Sequence, residues 1–141
     1  MIIPFVLIFL YSSLIDISMI KAFERFYNKI DEIFHEEPTS LLHGDLWSGN
    51  WAADDKGRPV IFDPASYYGD READLAMMEL FGHPGRQFFD AYNEHYPMDE
   101  GYKLRKHLYN VYHILNHTNM FGHSYASQAE SMIEALLAEV S

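Results

Sequence analysis

His43, Asp45, Asn50 and Asp63 are the side chains whose types and spacing could do chemistry. The first three fall inside "HGDLWSGN", residues 43–50, with Gly44 and Gly49 between them, and Asp63 closes the later string "PVIFD". An aspartate can accept and orient a hydroxyl proton, although its ordinary pKa of about 3.9 makes it a weak base. Phosphoryl transfer tolerates that weakness, because its transition state is loose and placing the attacking oxygen matters more than base strength. An amide oxygen and a second carboxylate are hard donors of the kind magnesium takes, at about 2.0 to 2.1 Å, with waters and phosphates filling its other positions. Two protein ligands therefore suffice. The competing reading of the same residues is a polar surface turn capped by Asp45 and Asn50.

The neighbouring elements favour the first reading. "SLLH", residues 40–43, is a short strand candidate that leads into the loop. "NWAA" and "PVIFD" flank "DDKGR" and read as a hairpin. A two-residue loop at Lys56–Gly57, with glycine supplying the positive φ, would pair 55 with 58, 53 with 60, 51 with 62 and 50 with 63. Asn50 would then stand opposite Asp63, with Cβ atoms about 4.5 to 5.5 Å apart. Trp51 would meet Phe62 on the face that packs inward. Asp45 stands five residues before Asn50. That is the H-x-D-x-x-x-x-N spacing of kinase-type phosphoryl-transfer enzymes, in which a metal-binding Asp follows on the next hairpin.

The rest of the chain reads as helix. Met19, Phe23, Phe26, Tyr27, Ile30, Ile33 and Phe34 have helical spacing, stopped by Pro38. After a loop at "PASYYG", Asp70 is the expected N-cap of "DREADLAMMELFG", which closes near Gly82. A further helix is expected over 86–96, ended by Pro97. Asp99 caps a long one with Leu104, Leu108, Val111, Tyr112 and Leu115 on one face. The last helix turns Met132, Ile133, Leu136 and Leu137 inward. The fold class is α+β, mainly α-helical, with its β structure gathered around the octapeptide.

Composition narrows the function. The chain has 141 residues, 48% of them apolar and 16% aromatic, which is globular and long enough for one core. It contains no cysteine, so disulfides and thiolate metal sites are excluded and a reducing, cytoplasmic setting fits. The formal charge of -11, from ten basic against twenty-one acidic residues, argues against nucleic acid and suits cationic ligands or metal ions. The opening "MIIPFVLIFLYSSLI" lacks the basic residue and cleavage site of a signal peptide. It is also shorter than the roughly 20 residues of a membrane span. It reads as a buried element, residues 1–18 forming a segment separate from 19–141, with Phe5, Leu7, Phe9 and Leu10 offering an apolar surface for self-association. His113 and His117, one helical turn apart with His123 near, offer a weaker zinc-site reading, since the carboxylate of H-E-x-x-H is missing.

"LLHGDLWSGN" followed by "IFDPASYYGDREADLAM" closely resembles the fructosamine kinase (ketosamine-3-kinase) family, an aminoglycoside-phosphotransferase-like branch of the protein-kinase-like superfamily. "YHILNHTNMFG", residues 112–122, is similar to that family's late helix, and the resemblance runs from about Met19 to the C-terminus. It implies the C-terminal lobe of a protein-kinase-like fold, with a small β-hairpin carrying the active-site loop. It implies ATP-dependent phosphorylation of a sugar hydroxyl on ketosamine substrates, with Mg2+ and ATP as cofactor and co-substrate. On this resemblance Asp45 is the catalytic base, His43 braces the loop, and Asn50 and Asp63 hold magnesium and so address the nucleotide. Asp74 steadies the loop and Trp47 walls the sugar pocket. The departure is at the front: no glycine-rich loop precedes residue 43, and Lys21 and Lys29 fall on a helix. An N-terminal ATP-binding lobe of the kind that the family carries is not matched. The alternatives are a non-catalytic remnant of the C-terminal lobe and a related small-molecule kinase of aminoglycoside or choline type.

Overall fold

The computed structural model describes residues 17–34, 37–121 and 123–139. The expectations placed on residues 1–16, including Phe5, Leu7, Phe9 and Leu10, lie outside that range. The described residues fall into two compact units: 37–106, and 17–34 together with 107–121 and 123–139.

The first unit carries the β structure. Strand β1, Ser40–Leu42, pairs antiparallel with β4, Tyr67–Gly69, in the register Ser40↔Gly69, Leu41↔Tyr68, Leu42↔Tyr67. Strand β2, Trp51–Ala53, pairs antiparallel with β3, Pro59–Ile61. "PASYYG" is thus partly strand and not the loop its composition suggests. Three residues are too few to show a period, and the partner lies a whole hairpin away.

The hairpin forms with a register one residue from the expected one: Trp51 pairs with Ile61, Ala52 with Val60 and Ala53 with Pro59. The Asp54 carboxylate explains the shift. Its Oδ1 accepts from the Lys56 and Arg58 N–H groups at 2.9 Å each, and its Oδ2 meets Arg58 Nε at 2.7 Å. Asp54 and Arg58 then close the ladder (Asp54 N to Arg58 O, 2.9 Å), and the loop holds three residues, ending at Gly57 with φ +75°. Those contacts hold the Asp54 carboxyl below its usual range, the Arg58 amide bond first among them. Asn50 consequently bridges Phe62 (Phe62 N to Asn50 O, 3.0 Å) and does not stand opposite Asp63. The expected inward Trp51–Phe62 pair is absent too: Ile61 and Phe62 are both exposed.

Helix α3, Glu72–Leu80, follows β4; α4 is Arg86–His95, and α5 is Tyr102–Phe121. Asp70 starts α3 as expected, its Oδ1 accepting the Glu72 N–H at 2.9 Å. Ala73, Leu75, Ala76, Met77 and Met78 are buried, and so is Leu42 of β1. The fully buried Glu72 carboxylate receives Arg105 Nε and Nη2 at 2.7 and 2.8 Å, and Asp99 takes a further Nη2 bond at 2.8 Å. Arg71 is also buried, its guanidinium 3.8 Å from the Tyr96 ring centroid and bonded to the Tyr96 and Pro97 carbonyls. Each charge is matched by geometry that repays part of its desolvation.

The second unit is helical. Helices α1 (Ile17–Tyr27) and α2 (Ile30–Ile33) split what the sequence reads as one helix, the break falling at Asn28–Lys29. After a 3-10 turn, His123–Tyr125, comes α6, Ala126–Glu139, which packs against α1. Leu108, Val111, Ile114 and Leu115 of α5, and Ala129, Ile133, Leu136 and Leu137 of α6, are buried at helical spacing. No helix among the described residues is long and apolar enough to cross a membrane.

Candidate active site

Every residue that the sequence singles out for phosphoryl transfer lies between His43 and Asp74, within the first unit. The segment 43–50 is irregular backbone, so its shape must come from bonds that the flanking elements supply. Asp74, on the first turns of α3, supplies two. Its Oδ2 accepts the His43 N–H at 2.7 Å and its Oδ1 accepts the Gly44 N–H at 2.9 Å. A carboxylate flanked by buried Ala73, Leu75 and Ala76 thus finds its partners in the loop.

Gly44 has φ +84°, and a Cβ there would strike the Ala65 carbonyl oxygen. Only glycine serves both the left-handed backbone and the close approach. The strand after the hairpin is tied to the same place. Ala65 N donates to His43 O at 2.9 Å, and His43 Nε2 donates to Phe62 O at 2.9 Å. The Asp45 N–H donates to His43 Nδ1 at 3.3 Å. One imidazole tautomer, with its proton on Nε2, serves both ring bonds. His43 is buried, and it links the start of the loop to the segment that carries Asp63.

Asn50 closes the other end. Its N–H reaches back to Trp47 O at 2.9 Å, and its Nδ2 donates to Asp45 O at 2.8 Å and to Asp45 Oδ2 at 2.9 Å. Both amide protons are spent on Asp45, which leaves Oδ1 as the remaining donor atom of a buried side chain. Asp45 keeps its other carboxylate oxygen, and the residue is half-buried at the surface of the loop.

Asp63 departs from the expected geometry in an informative way. It is the single non-glycine residue with positive φ, at +55°, among the described residues. Such a conformation is uncommon outside glycine and costs of order 1 kcal/mol. The bonds on Phe62 and Ala65, on either side of it, hold it there. Asp63 is exposed, and its carboxylate makes no hydrogen bond or ion pair among the described residues. The structure therefore unites His43, Asp45, Asn50 and Asp74 by direct bonds and sets Asp63 beside them through the backbone of its neighbours. The direct cross-strand pairing of Asn50 with Asp63 is not found. Oxygen donors at Asn50 and Asp63 suit a hard divalent cation. No cluster of three or more His, Cys, Asp or Glu able to hold a metal occurs among the described residues. His113 and His117 are spaced as expected, but His113 is buried and pushed down to about 4 by desolvation and by the nearby His117. His117 Nδ1 is engaged by the His113 carbonyl at 2.8 Å.

Trp47 is half-exposed beside this loop. The buried Glu72–Arg105 pair and Arg71 went unread in the sequence. Their partners stand tens of residues away, and nothing local separates a buried charge from a solvated one.

The family model described as Fructosamine kinase matches residues 13–139. A "Probable ketoamine kinase" of Synechocystis sp. is 55% identical over 102 residues, which is 72% of this chain and 35% of that protein. A chloroplastic protein-ribulosamine 3-kinase of Arabidopsis thaliana is 52% identical over 97 residues, 69% of this chain and 29% of its own length. A crystal structure named as a fructosamine-3-kinase of Thermobifida fusca superposes with a TM-score of 0.81 at 35% identity, covering 89% of this chain and 44% of that one. The chain spans about a third of the length of the curated relatives it matches.

Proposed function

The chain belongs to the fructosamine kinase family, and on that premise we propose that residues 19–141 form the acceptor- and metal-binding part of an ATP-dependent phosphotransferase acting on ketosamines. The observation that carries the reading is the pair of hydrogen bonds that Asn50 Nδ2 donates to Asp45, on a loop gripped at His43 and Gly44 by Asp74. This arrangement holds one carboxylate oxygen of Asp45 open toward a substrate hydroxyl. Asp45 accepts the hydroxyl proton and aligns its oxygen with the phosphoryl group. Asn50 Oδ1 and the Asp63 carboxylate are the residues that would hold magnesium. When bound, the ion screens the charge that builds on the transferring phosphate. His43 and Asp74 fix the backbone of the loop. Trp47, half-exposed beside Asp45, offers an aromatic wall to the sugar-amine, whose protonated nitrogen also suits a chain of charge -11. A grip on the ATP phosphates has no counterpart in residues 19–141, so we place it in the further length that relatives carry.

The test is a chimera in which residues 19–139 replace the matching region of the Synechocystis relative. The chimera phosphorylates a fructosyl-amine. Asp45→Asn lowers kcat by about 10² to 10⁴-fold with little change in nucleotide affinity. Asp63→Asn is partly restored by raised magnesium. Equal losses with equal magnesium response in both variants would make Asp45 a metal ligand and overturn the assignment.

A further inference from the structure

The reading of Trp47 as an acceptor wall, on which this inference rests, requires that its indole be held in place. We infer that helix α3 splints the active-site loop at both ends. Asp74 fixes the end that carries Asp45, and the Phe81–Gly82 corner, with Gly49, positions the acceptor wall.

The second grip is as specific as the first. The Ser48 N–H donates to the Phe81 carbonyl at 3.2 Å, just past the end of α3. Gly82 lies so close behind Ser48 that a Cβ at 82 would overlap Ser48 Cβ and Oγ. With φ +128°, it also occupies a backbone region that side chains avoid. Asp74 and Phe81 stand seven residues apart, roughly 10 Å along a helix that rises about 1.5 Å per residue. The helix thus sets the distance between the two points where it holds the loop. Between them the loop makes its turn, closed by the Asn50 N–H on Trp47 O. The Trp47 ring folds back over Gly49, where a Cβ would meet Cζ2, Cη2 and, at 2.7 Å, Cε2 of the indole. Gly49 underlies the ring and Gly82 backs the residue between them. The wall is therefore fixed by two missing side chains. Its position relative to Asp45 follows from a rigid element and not from loop flexibility.

The experiment uses the chain with Trp51→Phe, which leaves Trp47 as its one tryptophan, and titrates its fluorescence with fructosyl-lysine. The parent gives a saturable change. Gly82→Ala weakens that binding by about tenfold or more with the helical circular dichroism retained, since misplacing a binding group by a fraction of an ångström is costly. Adding Ser48→Gly to Gly82→Ala removes the overlapping atoms and recovers most of the affinity, which a merely structural role for Gly82 does not predict. Ser48→Thr loads the same contact from the loop side without a strained residue, so it decides the matter if Gly82→Ala does not fold. Folded Gly82→Ala or Ser48→Thr chains that bind as tightly as the parent would overturn the splint and leave the acceptor reading standing, and so would a failure of Ser48→Gly to rescue. A parent that shows no response to fructosyl-lysine would overturn the acceptor reading and the splint with it.

Discussion

Residues 37–106 bury Arg71, Glu72 and Arg105, while the helical unit buries Leu108, Ile114, Ile133 and Leu136. In the first, short strands of three residues and an irregular loop are held by side chains that bond backbone amides: Asp74 on His43 and Gly44, Asp54 on Lys56 and Arg58, Asp70 on Glu72. In the second, apolar stripes at helical spacing are buried, and the buried polar groups among its described residues are Asn110, Thr118 and His113, the last held uncharged by desolvation. Irregular backbone can point functional groups where regular structure cannot, but its polar groups need named partners. That is why the unit with the candidate site is dense in charge pairs.

The largest effect should come from breaking the pair on which the first unit most depends. Arg105→Met leaves the fully buried Glu72 carboxylate without its cation and should cost about 3 to 5 kcal/mol in urea unfolding. A change below about 1 kcal/mol would mean that the buried pair contributes no more than a surface one.

The helical unit should answer to acid instead. His113 has its folded pKa pushed down to about 4 from an ordinary 6.5. Above 6.5 it is neutral whether folded or unfolded, and its contribution is fully present. As pH falls from 6.5 toward 4, the unfolded chain takes up a proton that the folded one refuses, and stability drops by up to about 3 kcal/mol. His113→Leu should flatten that part of the pH profile. An unchanged acid slope in the variant would assign the effect to other groups.

Asp74→Asn sharpens the contrast locally. It keeps the shape of the side chain but turns one acceptor into a donor facing an N–H, so about 2 kcal/mol should be lost. Exchange of the His43 and Gly44 amides should quicken by about thirtyfold, while amides of α6 keep their rates. Uniform acceleration across both units would show that the loop is not held locally.

The same contrast governs what the sequence discloses. Periodicity makes α5 and α6 readable, because a helical stripe is a local signal, and Pro97 marks the end of α4. The motif from His43 to Asn50 is readable because its spacing is chemical. The hairpin is visible too, but its register is not: one extra loop residue, stabilised by the Asp54 side chain, moves every pair by one and puts Phe62 where Asp63 was expected. Pairing of β1 with β4 and of Glu72 with Arg105 depends on contacts across some thirty residues, and no local pattern encodes them.

The central proposal is that Asn50 and Asp63, linked through the Phe62 backbone and not paired across the ribbon, form one cation site with Asp45 in the same loop. Titrating the isotope-labelled chain with Mn2+ and following paramagnetic broadening of amide signals tests it most directly. At the lowest additions, the account predicts selective loss of signals from residues 45–50 and 62–65, abolished by Asp63→Ala. Broadening spread evenly over the acidic surface, or a pattern that Asp63→Ala leaves untouched, would contradict it.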